Sequence, residues 1–170
     1  IDPELLDLHP VIDRGELITE VGDEADNYQR YKFTDSGISP RALPGIPGYE
    51  HVVASDEHMP DGVLISDEFT HPHKRRAMME KRQRKMDGLL VDLPPPAIVG
   101  NPDAEVTLVG WGSTAGVIQE AIEQLAAAGV VANHLHFKWI VPFHAEEAVE
   151  LLSSCKRTIL IENNYSGLFH

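Results

Sequence analysis

A chain of 170 residues with a net charge of −13 and a single cysteine holds one ordinary domain, or a small domain with a long appendage. Its 42% hydrophobic and 24% charged content are those of a soluble globular protein, and no run approaches the ~20 apolar residues of a membrane helix. The charge speaks against a nucleic-acid partner, and one cysteine excludes an internal disulfide and any zinc or iron–sulfur site built from several thiolates of this chain.

Residues 1–26 hold nine acids against one base, Arg14, and no sustained period, which predicts loops forming a solvated or partner-facing acidic arm. Opening at Ile1-Asp2-Pro3 without a methionine, the sequence reads as a fragment or a processed chain. The alternation from Tyr28 to Phe33 predicts a short strand, and Val52–Ala54 another. Between them Ser36-Gly37, Pro40, Pro44-Gly45 and Pro47-Gly48 break every regular element, so an ordered loop here requires something to pack against it.

Thr70 is the expected cap, and Pro72 an early position, of a helix reaching Met86 or Gly88. Seven of the chain's basic residues lie between Lys74 and Lys85. Arg75, Met79, Arg82 and Met86 form one stripe, suited either to covering a neighbour with long stems or to recognising phosphate. The run Leu93-Pro94-Pro95-Pro96 opens a stiff spacer over residues 93–102, dividing a loop-rich segment (1–92) from an α/β segment (103–170).

Val106–Val109 is a buried parallel strand, stopped by glycines and followed by a helix with Ser113 or Thr114 as N-cap. Val117, Ile118, Ala121, Ile122 and Leu125 mark its apolar face, and Gly129 its left-handed C′ residue. Val130–Ile140 predicts a second strand, Ala145–Ser153 a helix with Ala148, Val149, Leu151 and Leu152 inward, and Thr158–Ile161 a third strand. The fold class is therefore α/β with a small parallel sheet, right-handed crossovers and three strands. Cys155 closes the last helical pattern as a small buried hydrophobe, and its solitary thiol points to a reducing, cytoplasmic compartment.

Gly110-x-Gly112-x-x-Ala115 matches a dinucleotide-binding fingerprint in its correct place between strand and helix. The acid that should hold a ribose after the next strand is missing, where Lys138-Trp139-Ile140 stands, and Trp111 is bulky for a phosphate turn. Asp56, Glu57 and His58, with His71 and His73, fit no strong metal-ligand spacing. They read either as a hydrogen-bonded cluster that orients a polar ligand or as a loop bonded to itself. Of His134 and His136, alternating in a strand, at least one is expected as a satisfied buried or interface histidine; Asn163 and Asn164 form a turn at the sheet's carboxyl edge.

The run Arg30-Tyr31-Lys32-Phe33-Thr34-Asp35-Ser36-Gly37-Ile38-Ser39-Pro40-Arg41-Ala42-Leu43-Pro44-Gly45 resembles the alpha subunit of thiamine-diphosphate-dependent 2-oxoacid:ferredoxin oxidoreductases, above all the 2-oxoglutarate branch. Ser55-Asp56-Glu57-His58, Met79 to Lys85, Gly110-Trp111-Gly112-Ser113-Thr114, Pro142-Phe143 and Glu162-Asn163-Asn164-Tyr165-Ser166-Gly167 continue it in the family's order. Pro142-Phe143-His144 and Gly167-Leu168-Phe169 depart from the family's usual Pro-Phe-Pro and Gly-Gln-Leu.

The resemblance implies a C-terminal portion of that subunit. Residues 103–170 would be a transketolase C-terminal-like domain, and residues 1–92 the end of the pyrimidine-binding domain and its connection. It implies an oxidative decarboxylation of a 2-oxoacid to its acyl-CoA, with electrons passed to ferredoxin. Thiamine diphosphate, Mg2+ and the iron–sulfur cluster would sit on a beta subunit and none on this chain alone, so the isolated chain would be inactive. Partners would be the beta subunit, the rest of the alpha subunit, ferredoxin, the 2-oxoacid and coenzyme A. Arg41, Asp56, Glu57 and His58 are the residues expected to border the substrate pocket, the arginine pairing with an oxoacid carboxylate. The competing readings are a non-catalytic interaction module and an independent nucleotide-binding domain.

Overall fold

A computed structural model of the chain describes residues 9–65, 71–167 and 169–170. Two compact units divide inside a helix, between Lys85 and Met86. Ile1, Asp2, Pro3, Thr70 and Leu168, named above, lie outside the described residues.

The first unit is loop-rich. Its one strand pair is β1 (Leu17–Ile18) beside β2 (Arg41–Ala42), parallel, with Leu17 opposite Arg41. β1 lies in the acidic segment read as loops; a two-residue strand formed by a long-range pairing leaves no local period to detect. Tyr28–Phe33 forms no strand, because its backbone is committed elsewhere: Lys32 N–H closes a turn on Gln29 O, Tyr31 N–H donates to Pro60 O at 2.8 Å, and Tyr31 O accepts from Lys81. Val52–Ala54 is likewise irregular, Ala54 N–H reaching Gly62 O, with an isolated bridge between His58 and Leu64 nearby.

Helix α1 (Pro72–Asp92) opens on Pro72 as expected but outruns Gly88 by a full turn. A Cβ at Gly88 would meet nothing, so this glycine is neither a cap nor a packing site. The helix ends where Leu93 precedes proline, the position at which α conformation is disfavoured. Met78 and Lys81 are its buried residues, rather than the Arg/Met stripe.

The second unit is a four-stranded sheet of order β3-β5-β4-β6, with β3 (Ile98–Val99), β4 (Val106–Trp111), β5 (Ala132–Phe137) and β6 (Thr158–Leu160). β4 pairs in parallel with β5 and β6, and β3 is antiparallel to β5, Ile98 opposite Leu135. The expected three parallel strands are thus joined by a fourth from within the 93–102 stretch. Once free of the prolines, Ile98 and Val99 have donors to offer β5.

Helix α2 (Ala115–Ala127), entered through a 3-10 turn at Gly112–Thr114, packs on the face carrying Leu108 and Gly110; helix α3 (Ala145–Ser154) covers the other. A Cβ on Gly110 would fall 2.3 Å from Ile118 Cδ1, which fixes α2 against β4. Val109, Leu135, Phe137 and Ala148 make the core on the α3 side, with Leu151, Leu160 and Trp111 packed against it. Val117, Val149 and Leu152, expected inward, are exposed, so each helix turns a narrower stripe to the sheet than its period suggests.

Neither Ser113 nor Thr114 caps α2 with its hydroxyl; Thr114 Oγ1 instead accepts from Trp111 N–H and donates to Trp111 O, locking the 3-10 turn. At the other end Gly129 (φ 81°) is the C′ residue: its N–H reaches Ala126 O while Val130 N–H reaches Leu125 O, a complete Schellman motif. β5 is shorter than expected, because its partner β4 ends at Trp111, opposite Phe137, and turns into the 3-10 segment. Cys155 is half-buried at the end of α3, its Sγ–H directed at Leu151 O.

Candidate functional site

In the first unit the loops and α1 bring together a compact polar cluster. Glu57 is buried, and its Oε1 accepts from Arg82 Nη2 at 3.0 Å while Arg75 Nη1 stands 3.5 Å from Oε2. His58, also buried, donates from Nδ1 to Met59 O at 3.1 Å, the tautomer that leaves Nε2 facing Arg82 Nη2 at 3.4 Å. The Tyr31 ring stacks on His58 with centroids 3.8 Å apart. Arg75 and Arg82, about two turns apart on α1, therefore neutralise a buried carboxylate rather than form a free phosphate-binding stripe. Beside this cluster lies a largely apolar cavity of about 240 Å3, lined by His58, Met59, Ile65, Ala77 and Met78 among others.

The other two candidates stand differently. Asp56 is exposed and gives one oxygen to Glu57 N–H at 2.8 Å, bracing the turn that carries Glu57. Arg41 is exposed on β2; its backbone N–H donates to Glu16 O, and no hydrogen bond or ion pair engages its guanidinium among the described residues. Structure thus unites Glu57 and His58 with Arg82, and leaves Arg41 and Asp56 as outward-facing polar groups. His71 and His73 contact each other, edge to face at 5.9 Å, and among the described residues no three His, Cys, Asp or Glu side chains are grouped to hold a metal ion.

Sequence reasoning missed Lys81. It is buried, and its Nζ donates to Tyr31 O at 3.0 Å and to Ser39 Oγ, which in turn donates to Lys32 O. Burial, then the charges of Lys85, Arg30, Arg82 and Arg84, push this ammonium down to about 8. The available signal was the Pro/Gly loop itself, which demanded a partner; a polar helix with no wholly apolar face had to supply it.

In the second unit the strand order reverses at β4, so its carboxyl end is the switch point where open α/β sheets bind ligands. Here aromatic side chains occupy that end. Trp111 and Phe137 lie against Phe169 at 5.9 and 5.4 Å, Phe143 joins Phe137 at 5.3 Å, and Trp111 Nε1–H donates to Glu162 Oε2 at 3.1 Å. Glu162 Oε1 accepts from both Asn163 and Asn164 N–H; these bonds, chiefly that of Asn164, together with Trp111, hold its carboxyl below the usual range. The glycine fingerprint thus serves packing: Gly110 admits Ile118, and Trp111 packs against the core on the other face.

His134 and His136, on the α2 face beside Leu108 and Gly110, contact each other at 5.1 Å. His134 is buried as expected but not satisfied: its Nε2, like His136 Nδ1, has no hydrogen-bond partner among the described residues. Burial and then the neighbouring His136 lower the affinity of His134 for a proton; for His136 the order is burial, then Lys138, partly opposed by the Gly112 backbone.

Residues 104–169 match the family described as pyruvate:ferredoxin oxidoreductase core domain II. The chain is 33% identical over 159 residues to the alpha subunit of 2-oxoacid:ferredoxin oxidoreductase 2 of Aeropyrum pernix, an alignment covering 92% of this chain and 23% of that one. It is 38% identical over 129 residues to 2-oxoglutarate oxidoreductase subunit KorA of Mycobacterium tuberculosis, covering 75% and 19%. Among solved structures, the 2-oxoglutarate:ferredoxin oxidoreductase of Magnetococcus marinus with 2-oxoglutarate, coenzyme A and succinyl-CoA bound superimposes with a TM-score of 0.66 at 29% identity, over 88% of this chain and 26% of that one. The chain spans about a quarter of the length of these relatives.

Proposed function

We propose that this chain, similar to 2-oxoacid:ferredoxin oxidoreductase alpha subunits over most of its length, belongs to that family and forms the C-terminal part of such a subunit in an enzyme of the 2-oxoglutarate branch. The reaction is the oxidative decarboxylation of a 2-oxoacid to its acyl-CoA and CO2, with the electrons delivered to ferredoxin. This segment contributes wall and docking surface to that enzyme. Its first unit is the end of the pyrimidine-binding domain, and its second is the transketolase C-terminal-like domain.

Thiamine diphosphate with Mg2+ supplies the carbanion chemistry and the iron–sulfur cluster the electron path; both belong to the beta subunit. The residues of this chain do not fit the cluster. One thiol, already directed at Leu151 O, cannot supply a cluster's ligands, and no step is assigned to either group on this chain.

The observation that carries the substrate reading is Arg41. An arginine whose backbone is held by strand pairing while its guanidinium stays unengaged among the described residues is a cation with little left to reorganise. It pairs with the oxoacid carboxylate, and Asp56, with one oxygen uncommitted to Glu57 N–H, tunes which second group is accepted. Glu57 and His58 border the pocket from behind, braced by Arg82.

The test is oxoacid-dependent dye reduction by the complete alpha–beta complex with coenzyme A, over a panel of 2-oxoacids. Losing one charge-assisted contact of ~1.5–3 kcal/mol raises KM for Arg41→Ala by roughly 10- to 100-fold, and Asp56→Ala changes the ranking of oxoacids. Unchanged affinity and choice in both variants refute the pocket assignment.

A further inference from the structure

The loop that ends in Arg41 and the stack that carries His58 are separate in sequence, yet one buried side chain touches the supports of both. Lys81 is 5% exposed, lying beneath the loop on α1. Its Nζ donates to Ser39 Oγ, two residues before Arg41, and to the carbonyl of Tyr31, whose ring lies on His58. The loop is also pressed onto the helix at Gly37: a Cβ there would fall 2.4 Å from Lys81 O, and its φ of +76° suits glycine. Thr34 O accepts from Gly37 N–H and from Arg84 Nη2, closing the loop between the two ends that Lys81 holds.

The rest of the Arg41 strand is bonded residue by residue. Tyr28 OH donates to Pro40 O and accepts from Ala42 N–H, and Glu16 O takes Arg41 N–H. Ser39 is the remaining support, and Lys81 supplies it. We propose that Lys81 is a positioning residue for the oxoacid site, holding the Arg41 strand and the Tyr31–His58 stack in fixed relation through its bonds to Ser39 and Tyr31. Its ammonium also adds positive charge beside the loop, and Ser39→Ala, which removes the same bond and leaves that charge in place, separates placement from field. This rests on the reading of Arg41 as the carboxylate-pairing cation, and extends it to a residue that touches no substrate.

The experiment is a double-mutant cycle in the complete complex, with Lys81→Met, Arg41→Ala and the pair, read as KM for the 2-oxoacid against kcat. Hydrogen exchange of the peptides spanning residues 31–42 and of those in α1 is followed in parallel. Misplacing the guanidinium by about an ångström raises KM on the order of 10-fold or more, with kcat changed less, and the double variant is no worse than Arg41→Ala. Exchange over 31–42 rises while α1 stays protected. Multiplicative KM effects, or unchanged exchange over 31–42, overturn the proposal. A silent Arg41→Ala removes the oxoacid reading by itself, and with it the functional role of Lys81, whatever exchange shows. Should Lys81→Met fail to fold, Ser39→Ala removes the same bond by one atom and takes its place, with a smaller effect in the same direction.

Discussion

Gly110→Ala tests whether the glycine after β4's apolar run exists for packing. The added Cβ would sit 2.3 Å from Ile118 Cδ1 and 2.6 Å from Thr114 Oγ1. Ordinary carbon contacts lie near ~3.5–4.0 Å, so something must move by more than an ångström. Ile118 is 1% exposed and has no free space to swing into, and Thr114 Oγ1 is held by both backbone groups of Trp111. Overpacking at the upper end of ~1–3 kcal/mol, offset by the ~0.4–1 kcal/mol gained from a stiffer unfolded chain, leaves a net loss of about 2 kcal/mol. Ile118→Ala alone leaves a cavity and costs about 3–4 kcal/mol. In the double variant the new methyl enters that cavity, so the two losses fall short of their sum by at least ~1.5 kcal/mol. Both tryptophans, Trp111 and Trp139, lie in the second unit, so urea unfolding followed by tryptophan fluorescence reports this unit alone. A Gly110→Ala midpoint equal to the parent's, or strictly additive losses, would refute the packing account.

Arg82→Met strips Glu57 of its nearer partner and leaves a buried carboxylate with the more distant Arg75; thermal unfolding of the first unit should drop by an amount equivalent to about 2–4 kcal/mol. Arg82→Met combined with Glu57→Gln should recover part of that loss, since the uncompensated charge is gone. Gly88→Ala, inside α1 with open space around the new methyl, should stabilise by ~0.5–1 kcal/mol in the same measurement. His134, with its proton affinity lowered by burial and by His136, binds a proton in the unfolded chain near pH 6.5 but resists it when folded. The stability of the second unit is therefore complete above pH 6.5 and falls as the pH drops below it; a titration by tryptophan fluorescence should show this slope, and His134→Gln should flatten it.

What the residues announced on their own was whatever depends on neighbours in sequence. The β4–turn–α2 unit was readable because an apolar run, a glycine turn, a 3.6-residue period and Gly129 at the helix end are all local. Its cap was misread, since Thr114 could serve either the helix or the turn before it, and the hydrogen bond to Trp111 won. The strands β1 and β3, two residues each, carry no period and exist only through partners 24 and more positions away. At the site, Glu57 and His58 were picked as a polar cluster, but their counterpart, Arg82, lies on a helix whose Arg/Met stripe suggested cover for a neighbour or phosphate recognition and did not name the carboxylate it meets. Lys81 was invisible for a deeper reason: lysine is rarely buried, and nothing in its immediate neighbours says that a loop some 40 residues earlier will descend upon it.

Tyr31 has a further implication for how this chain can vary. Its amide answers Pro60, its carbonyl answers Lys81, its ring rests on His58, and the Arg30 guanidinium lies over the same ring. Three segments are knotted at one position (the Arg30–Tyr31 stretch, the Glu57–Pro60 turn and α1), so genetic drift at any of them is judged against the other two. In a selection for active variants, replacements here should narrow to flat rings such as phenylalanine, and less conservative changes should survive only alongside second-site substitutions in the Glu57–Pro60 turn or on α1.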